Sequence, residues 1–146
     1  MLTPQDVIDN FEFLEDWESR YAYLVELGEA LPPLDEALRT EEHRVRGCMS
    51  QVWVAPVSDT ARPGALRYVG DCDTAIIKGV LALLIELCSG RTPDEIEALD
   101  LDALFEGLRL AEHLSPNRHF GIYAVVEMMK AQARDFVFTE TRRVGA

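Results

Sequence analysis

Residues 51–70 read QVWVAPVSDTARPGALRYVG. Gln51–Val57 is dense in β-branched and aromatic residues, and Ala65–Gly70 repeats that character. Between them, Ser58–Gly64 gathers Ser, Asp, Pro and Gly, the residue types that supply turn conformations. The stretch predicts two antiparallel strands joined by a hairpin loop. Pro56 has no amide hydrogen to give a ladder, so it belongs at a strand end or on a free edge. A short further strand is expected near His43–Arg46. That would make a small sheet of about three strands and place Cys48 in a Gly47-led connection.

On both sides of this stretch the apolar period becomes helical. Thr3-Pro4-Gln5-Asp6 reads as an N-cap with proline in the first turn, and Val7, Ile8, Phe11 and Leu14 follow at helical spacing. Asp16 is placed to cap a second helix striped by Trp17, Tyr21 and Leu24, with Gly28 suited to its exit. Leu31-Pro32-Pro33 ends that unit, since neither proline donates and each disfavours helix before it. After the hairpin, Asp73 or Thr74 opens a helix through Cys88, with Ile77, Val80, Leu81 and Leu84 on its buried stripe. Thr92-Pro93-Asp94-Glu95 is a capping box, Asp102 starts a short helix, and Ser115-Pro116 starts the last long one. Helices, then a small antiparallel sheet, then helices make an α+β domain over 1–138. Residues 139–146 (TETRRVGA) have nothing to bury and are expected to be a loose tail.

Composition narrows the function. At 146 residues the chain is long enough for one domain with a core of its own. Against 14 Lys and Arg stand 26 Asp and Glu, a net charge of −12. Such a field repels phosphate backbones and anionic lipid, so neither nucleic acid nor membrane is an expected partner. The most apolar run, Val80–Cys88, is broken by Glu86 and is far short of a bilayer crossing. The opening MLTPQDVIDNFEF carries acids where a secretory signal carries cations. Three cysteines are too few for a disulfide framework, and their odd number leaves a free thiol, as expected of a cytoplasmic protein.

The cysteines carry the candidate chemistry. Cys88 falls on the apolar stripe of its helix and reads as a small hydrophobe. Cys48 follows Arg44, Arg46 and Gly47, so it combines a loop position with nearby guanidinium groups, the two conditions for a reactive thiolate. A buried loop cysteine is the competing reading. Cys72 lies between Asp71 and Asp73, which raise a thiol pKa, while a helix N-terminus just after it lowers one. Its role stays open. There is no C-x-x-C and no His pair at helical spacing, so no metal site is expected; glycine-rich phosphate loops are also absent. His43 and His113 stand near carboxylates and receive no role. His119 follows Arg118 at the start of the last helix, where amides and cations favour an anion or a thiolate.

Val45-Arg46-Gly47-Cys48-Met49-Ser50-Gln51-Val52-Trp53-Val54 resembles the V-x-G-C-x-S-x-V-W motif of the SufE family. Asp16–Tyr21 with Leu24–Gly28 resembles the family's opening helices, Gly70–Gly79 its G-D-S-D-x-x-I-x-x-G segment, and Leu114–Arg118 with Gly121 the start of its last helix. The resemblance implies a fold like the iron–sulfur scaffold proteins of the IscU kind. It implies a sulfur acceptor in which Cys48 takes persulfide sulfur from a SufS-like cysteine desulfurase, stimulates it, and delivers sulfur to an iron–sulfur scaffold. Pyridoxal phosphate would belong to the desulfurase, and this chain is expected to need no cofactor. The family's loop tucks the thiol into an apolar hollow. Gly47, Arg46, Ser50, Asp73, Arg118 and His119 fall in the matching motifs as supporting residues, Arg44, Arg46 and Arg118 as candidates to stabilise the thiolate and Gly47 to let the loop move. Two departures stand out. Cys72 replaces the family's serine, as a plain substitute or as a second redox-active thiol, and His119-Phe120 replaces a small polar pair. The alternative function is a metal or iron–sulfur scaffold using Cys48 and Cys72, with His119 as a further ligand.

Overall fold

In the computed structural model, which describes residues 2–48, 50–114 and 116–145 (the side chains of 111, 116–120 and 137–145 excepted), local sequence signals set most helix starts. Helix α1 (Pro4–Phe13) begins on a capping box in which Thr3 and Asp6 satisfy each other's backbone amides. Helix α2 (Trp17–Glu29) is capped by Asp16, whose carboxylate accepts from the Ser19 amide at 2.7 Å. It runs past Gly28, expected to mark its exit, because that glycine is buried against the next helix and serves packing. Two 3₁₀ turns follow, Glu36–Leu38 and Glu41–His43. Strands β1 (Val52–Ser58) and β2 (Leu66–Cys72) form the expected hairpin, and α3 (Ala75–Cys88) returns across it.

Three short helices come next: α4 (Pro93–Glu97) on the Thr92–Glu95 capping box, α5 (Leu101–Leu108) and α6 (Leu110–His113). Asp100 caps α5 through the Ala103 amide, so the start lies just ahead of the expected Asp102. The last helix, α7, spans Pro116–Gly145. Its backbone stays helical through 139–145, where a loose tail was expected; the side chains there lie outside the described residues.

The sheet has two strands, paired Val52↔Cys72 through Ser58↔Leu66, and not about three. The segment expected as a third strand makes one isolated bridge, Arg44↔Trp53, with the Val45 amide bonded to the Val52 carbonyl at 2.8 Å. The Glu41–His43 turn before it and the left-handed Gly47 after it leave no extended backbone to lengthen the ladder.

Both sheet edges are largely covered. Along β2, Ser89–Arg91 takes the outward groups of Leu66 and Tyr68. Along β1, Val52 and Val54 turn their carbonyls outward, to the Val45 amide and to Gln132 Nε2 (2.7 Å) respectively. Pro56, next in that alternation, points its missing amide outward; proline is tolerated inside this strand for that reason. Covered or donor-free edges resist pairing with other chains.

The core lies between the sheet, α2, α3 and α7. α3 is apolar nearly all round, with Ile77, Leu81, Leu84 and Leu87 each at most 1% exposed, so it is the central helix. Each such side chain contributes about 1.5–3 kcal/mol of burial. α2 packs so tightly on α3 that a Cβ at Gly79 would collide with the Leu24 backbone. Tyr68 ties β2 to α7 through its hydroxyl, which donates to the Met129 carbonyl at 2.6 Å. No helix among the described residues is long and apolar enough to cross a membrane.

Candidate functional site: the Cys48 loop

The bond from Val45 to Val52 closes residues 46–51 into a lobe at the head of β1, with Cys48 inside it. Gly47 enters the lobe at φ +86°, a left-handed conformation that costs other residues about 1–2 kcal/mol. Among the described residues a Cβ there would meet only Ala124, at an ordinary 3.6 Å; it is the left-handed backbone that calls for the glycine. Cys48 is half-buried and packs on the core. Its seat is Gly121 on α7: a Cβ at that position would stand 2.7 Å from Cys48 Sγ. The thiol thus rests on bare helix backbone, a place any larger residue would fill.

The far side of the lobe is fastened to the turn that leads from β2 into α3. Ser50 Oγ and Thr74 Oγ1 lie 2.7 Å apart. The Gln51 amide donates to Asp73 Oδ1 at 3.0 Å, and the Asp73 amide returns a bond to the Gln51 carbonyl at 3.1 Å. Asp73 also accepts from the Thr74 hydroxyl, which explains why Thr74, the N-cap residue of α3, makes no capping bond with its own side chain. Ser50 and Asp73 therefore hold one end of the lobe, while Gly47 forms the other.

Cys72 sits beneath this fastening at 6% exposure, its Sγ accepting from the Thr74 amide at 3.4 Å. Burial pushes its thiol up to about 11; the Thr74 amide opposes, and the charges of Asp73, Cys48 and Asp71 add to the rise. At neutral pH Cys72 is a protonated thiol, a weak nucleophile. Cys88 is buried more deeply, and desolvation pushes it up to about 12.

Asp71 organises the neighbouring charges. It binds Arg39 at 2.9 Å and Lys78 at 3.1 Å, and Arg39 lies over the Trp53 ring at 4.7 Å. Arg39 also pairs with nearby Glu36 at 3.3 Å, but its place beside the site had no signal in the sequence, because Asp71 and Trp53 lie on strands far along the chain. Arg44 and Arg46, expected beside the thiolate, both turn to Glu41, at 3.4 and 3.9 Å. Among the described residues no side chain hydrogen-bonds the Cys48 thiol. Arg118 and His119 belong to the first turns of α7 just ahead of Gly121, which brings their backbone to the site; their side chains, like Met49, lie outside the described residues. His43 bonds to the Thr40 hydroxyl and to the Leu38 carbonyl of the turn before its own, and His113 stacks on Trp17 at 3.6 Å. Among the described residues no three His, Cys, Asp or Glu side chains gather as a metal site would need.

Comparison with known proteins places this arrangement. A solved structure of a hypothetical protein from Thermus thermophilus superposes with a TM-score of 0.76 over 94% of this chain and 99% of that one; at 23% identity it shows the fold alone. A SufE-like protein of Rhizobium etli is 40% identical over 135 residues, covering 92% of this chain and 91% of that protein. Another from Rhizobium meliloti is 37% identical over 134 residues, 91% of this chain and 96% of its own. The family profile described as "SufE: Fe-S metabolism associated domain" matches residues 5–133. The chain belongs to the SufE family, and its role lies in iron–sulfur metabolism.

Proposed function

We propose that the protein is a sulfur carrier that receives persulfide sulfur on Cys48 from a cysteine desulfurase and passes it to an iron–sulfur scaffold. The observation that carries this reading is the contrast in how Cys48 is held. It alone of the three thiols is neither in regular secondary structure nor deeply buried, and it sits in a lobe with a left-handed glycine at one end. The Cys48 thiolate attacks the outer sulfur of the desulfurase persulfide, the chemistry of thiol–disulfide exchange. A new S–S bond forms on Cys48, the bond between the two donor sulfurs breaks, and the desulfurase cysteine leaves as thiolate. Emptying the desulfurase in this way speeds its next turnover. The pyridoxal phosphate that activates free cysteine belongs to the desulfurase. Rotation about Gly47 would lift Cys48 from Gly121 to meet its donor, while the Ser50–Thr74 and Gln51–Asp73 bonds keep the other end of the lobe in place.

The experiment is desulfurase turnover with this protein added, in wild-type and Cys48→Ser form, using the desulfurase from the same cell. Wild type should raise sulfide release in the presence of reductant, and Cys48→Ser should return it to the unaided rate. Stimulation by Cys48→Ser equal to wild type overturns the reading.

A further inference from the structure

We propose that the groove along the outer edge of β1 is a docking site for an arginine-bearing segment of a partner protein. The groove, about 640 Å3, runs between the Glu41–His43 turn, the second half of β1 and α7. Pro56, Val57, Met128 and Phe136 give it apolar walls, and Glu42 and Asp135 stand exposed beside them. Neither carboxylate enters an ion pair among the described residues, whereas nearby Glu41 holds Arg44 and Arg46, and Glu97 holds Arg134. Gln132 lines the same groove. Its Nε2 is committed to the Val54 carbonyl, and its Oε1 is the one buried side-chain polar atom without a partner among the described residues. Pro56, the next outward-facing strand residue, has no amide hydrogen to offer it.

These features select a side chain and not a strand. Addition of a strand needs edge amides as well as carbonyls, and Pro56 removes the donor in the middle of this stretch. What the groove offers instead is two exposed carboxylates, without ion-pair partners among the described residues, beside apolar surface. An arginine answers each: its stem packs on apolar walls, its plane stacks on an aromatic ring, and its fork of N–H donors binds carboxylates. A net charge of −12 favours approach of such a segment. The groove shares Glu42, Met128 and Ala131 with a second cleft, about 520 Å3, that reaches Ala124, the residue facing Gly47. A partner seated here lies alongside the Cys48 lobe without touching its seat on Gly121. The inference stands on the groove alone and does not depend on sulfur transfer.

The test is an NMR titration of the full chain, labelled on methyl groups and side-chain amides. The probes are acetyl-Leu-Arg-Leu-amide, the same peptide with citrulline (isosteric and uncharged), and the same peptide with lysine. The arginine peptide should produce saturable shifts at Val57, Met128 and the Gln132 amide, with the citrulline peptide about tenfold weaker. The double variant Glu42→Gln/Asp135→Asn, altered only at exposed carboxylates, should weaken the arginine peptide to the citrulline level. Asp59→Asn/Asp94→Asn, outside the groove, should leave it unchanged. Equal binding of arginine and citrulline or arginine and lysine peptides overturns the proposal, as do shifts scattered over surface acids. Concentration-dependent shifts of the same methyls without any peptide overturn it as well, since a second copy of the chain would then fill the groove.

Discussion

Cys88 and Cys48 both pack against the apolar core, yet they differ in what holds their backbones. Cys88 is the last residue of α3, 1% exposed, with its carbonyl engaged by the Arg91 amide. Exposing it requires unravelling the end of the central helix. Cys48 is held at a lobe whose two ends are pinned but whose interior carries no ladder bonds among the described residues, and its thiol rests on a glycine. On the proposed reading, exposing it takes rotation within the lobe, with no regular element to unravel. Apolar contact alone therefore does not silence a thiol; the local cost of opening does.

The largest expected effect is in alkylation rate. With native protein near neutral pH, iodoacetamide should label Cys48 on the order of a thousandfold faster than Cys88, whose desolvated thiol is almost wholly protonated there. Peptide mapping of the adducts checks this, and similar rates would erase the contrast. Stability should show the reverse ranking. Cys88→Ser buries a hydroxyl in an apolar site and should cost about 1–3 kcal/mol in urea unfolding, whereas Cys48→Ser should stay within about 0.5 kcal/mol. Gly121→Ala sharpens the comparison from the other side. Its Cβ needs the space of Cys48 Sγ, so the lobe should shift outward, with Cys48 labelled several times faster and overpacking costing about 1 kcal/mol. An unchanged labelling rate would mean the thiol does not sit on Gly121 in solution.

The smallest effect concerns the charge cluster around Asp71. Burial by itself would raise the Asp71 carboxyl, but hydrogen bonds from Arg39 and Lys78 outweigh it and hold the group below the ordinary carboxylate range. A carboxylate depressed in the folded state adds stability above its unfolded pKa, about 3.9, and loses it as pH falls through the folded value. Asp71→Asn should therefore lack part of the stability loss that wild type shows below about pH 4. Superimposable acid profiles would show that the Arg39–Asp71–Lys78 cluster does not support the fold.

Much of this architecture was legible because it is local. The hairpin, the N-cap at Thr3, the Thr92–Glu95 capping box and the stripe of α3 depend on residues a few positions apart, and their physics does not need the rest of the chain. The third strand was over-read because a β-tolerant segment, His43–Arg46, lies between a 3₁₀ turn and a left-handed glycine that allow one bridge only. The site divided in the same way. Cys48 and Gly47 could be found from their motif, but the seat on Gly121 could not, since a helix far along the chain supplies it. For Arg44 and Arg46 proximity in sequence pointed to the thiol, and the ion pairs they make are with Glu41, one turn earlier. Arg39 was missed for the opposite reason, its partners Asp71 and Trp53 being brought to it only by the sheet.

The claim that Cys48 is the sulfur acceptor is tested most directly by intact mass. The protein is incubated with the desulfurase from the same cell and free cysteine without reductant, then measured and mapped by peptide. Wild type should gain the mass of one sulfur atom, removable by a thiol reductant and located on the peptide that carries Cys48, with Cys72 and Cys88 unmodified. A sulfur adduct that maps to Cys72 or Cys88, or that persists in Cys48→Ser, would contradict the account.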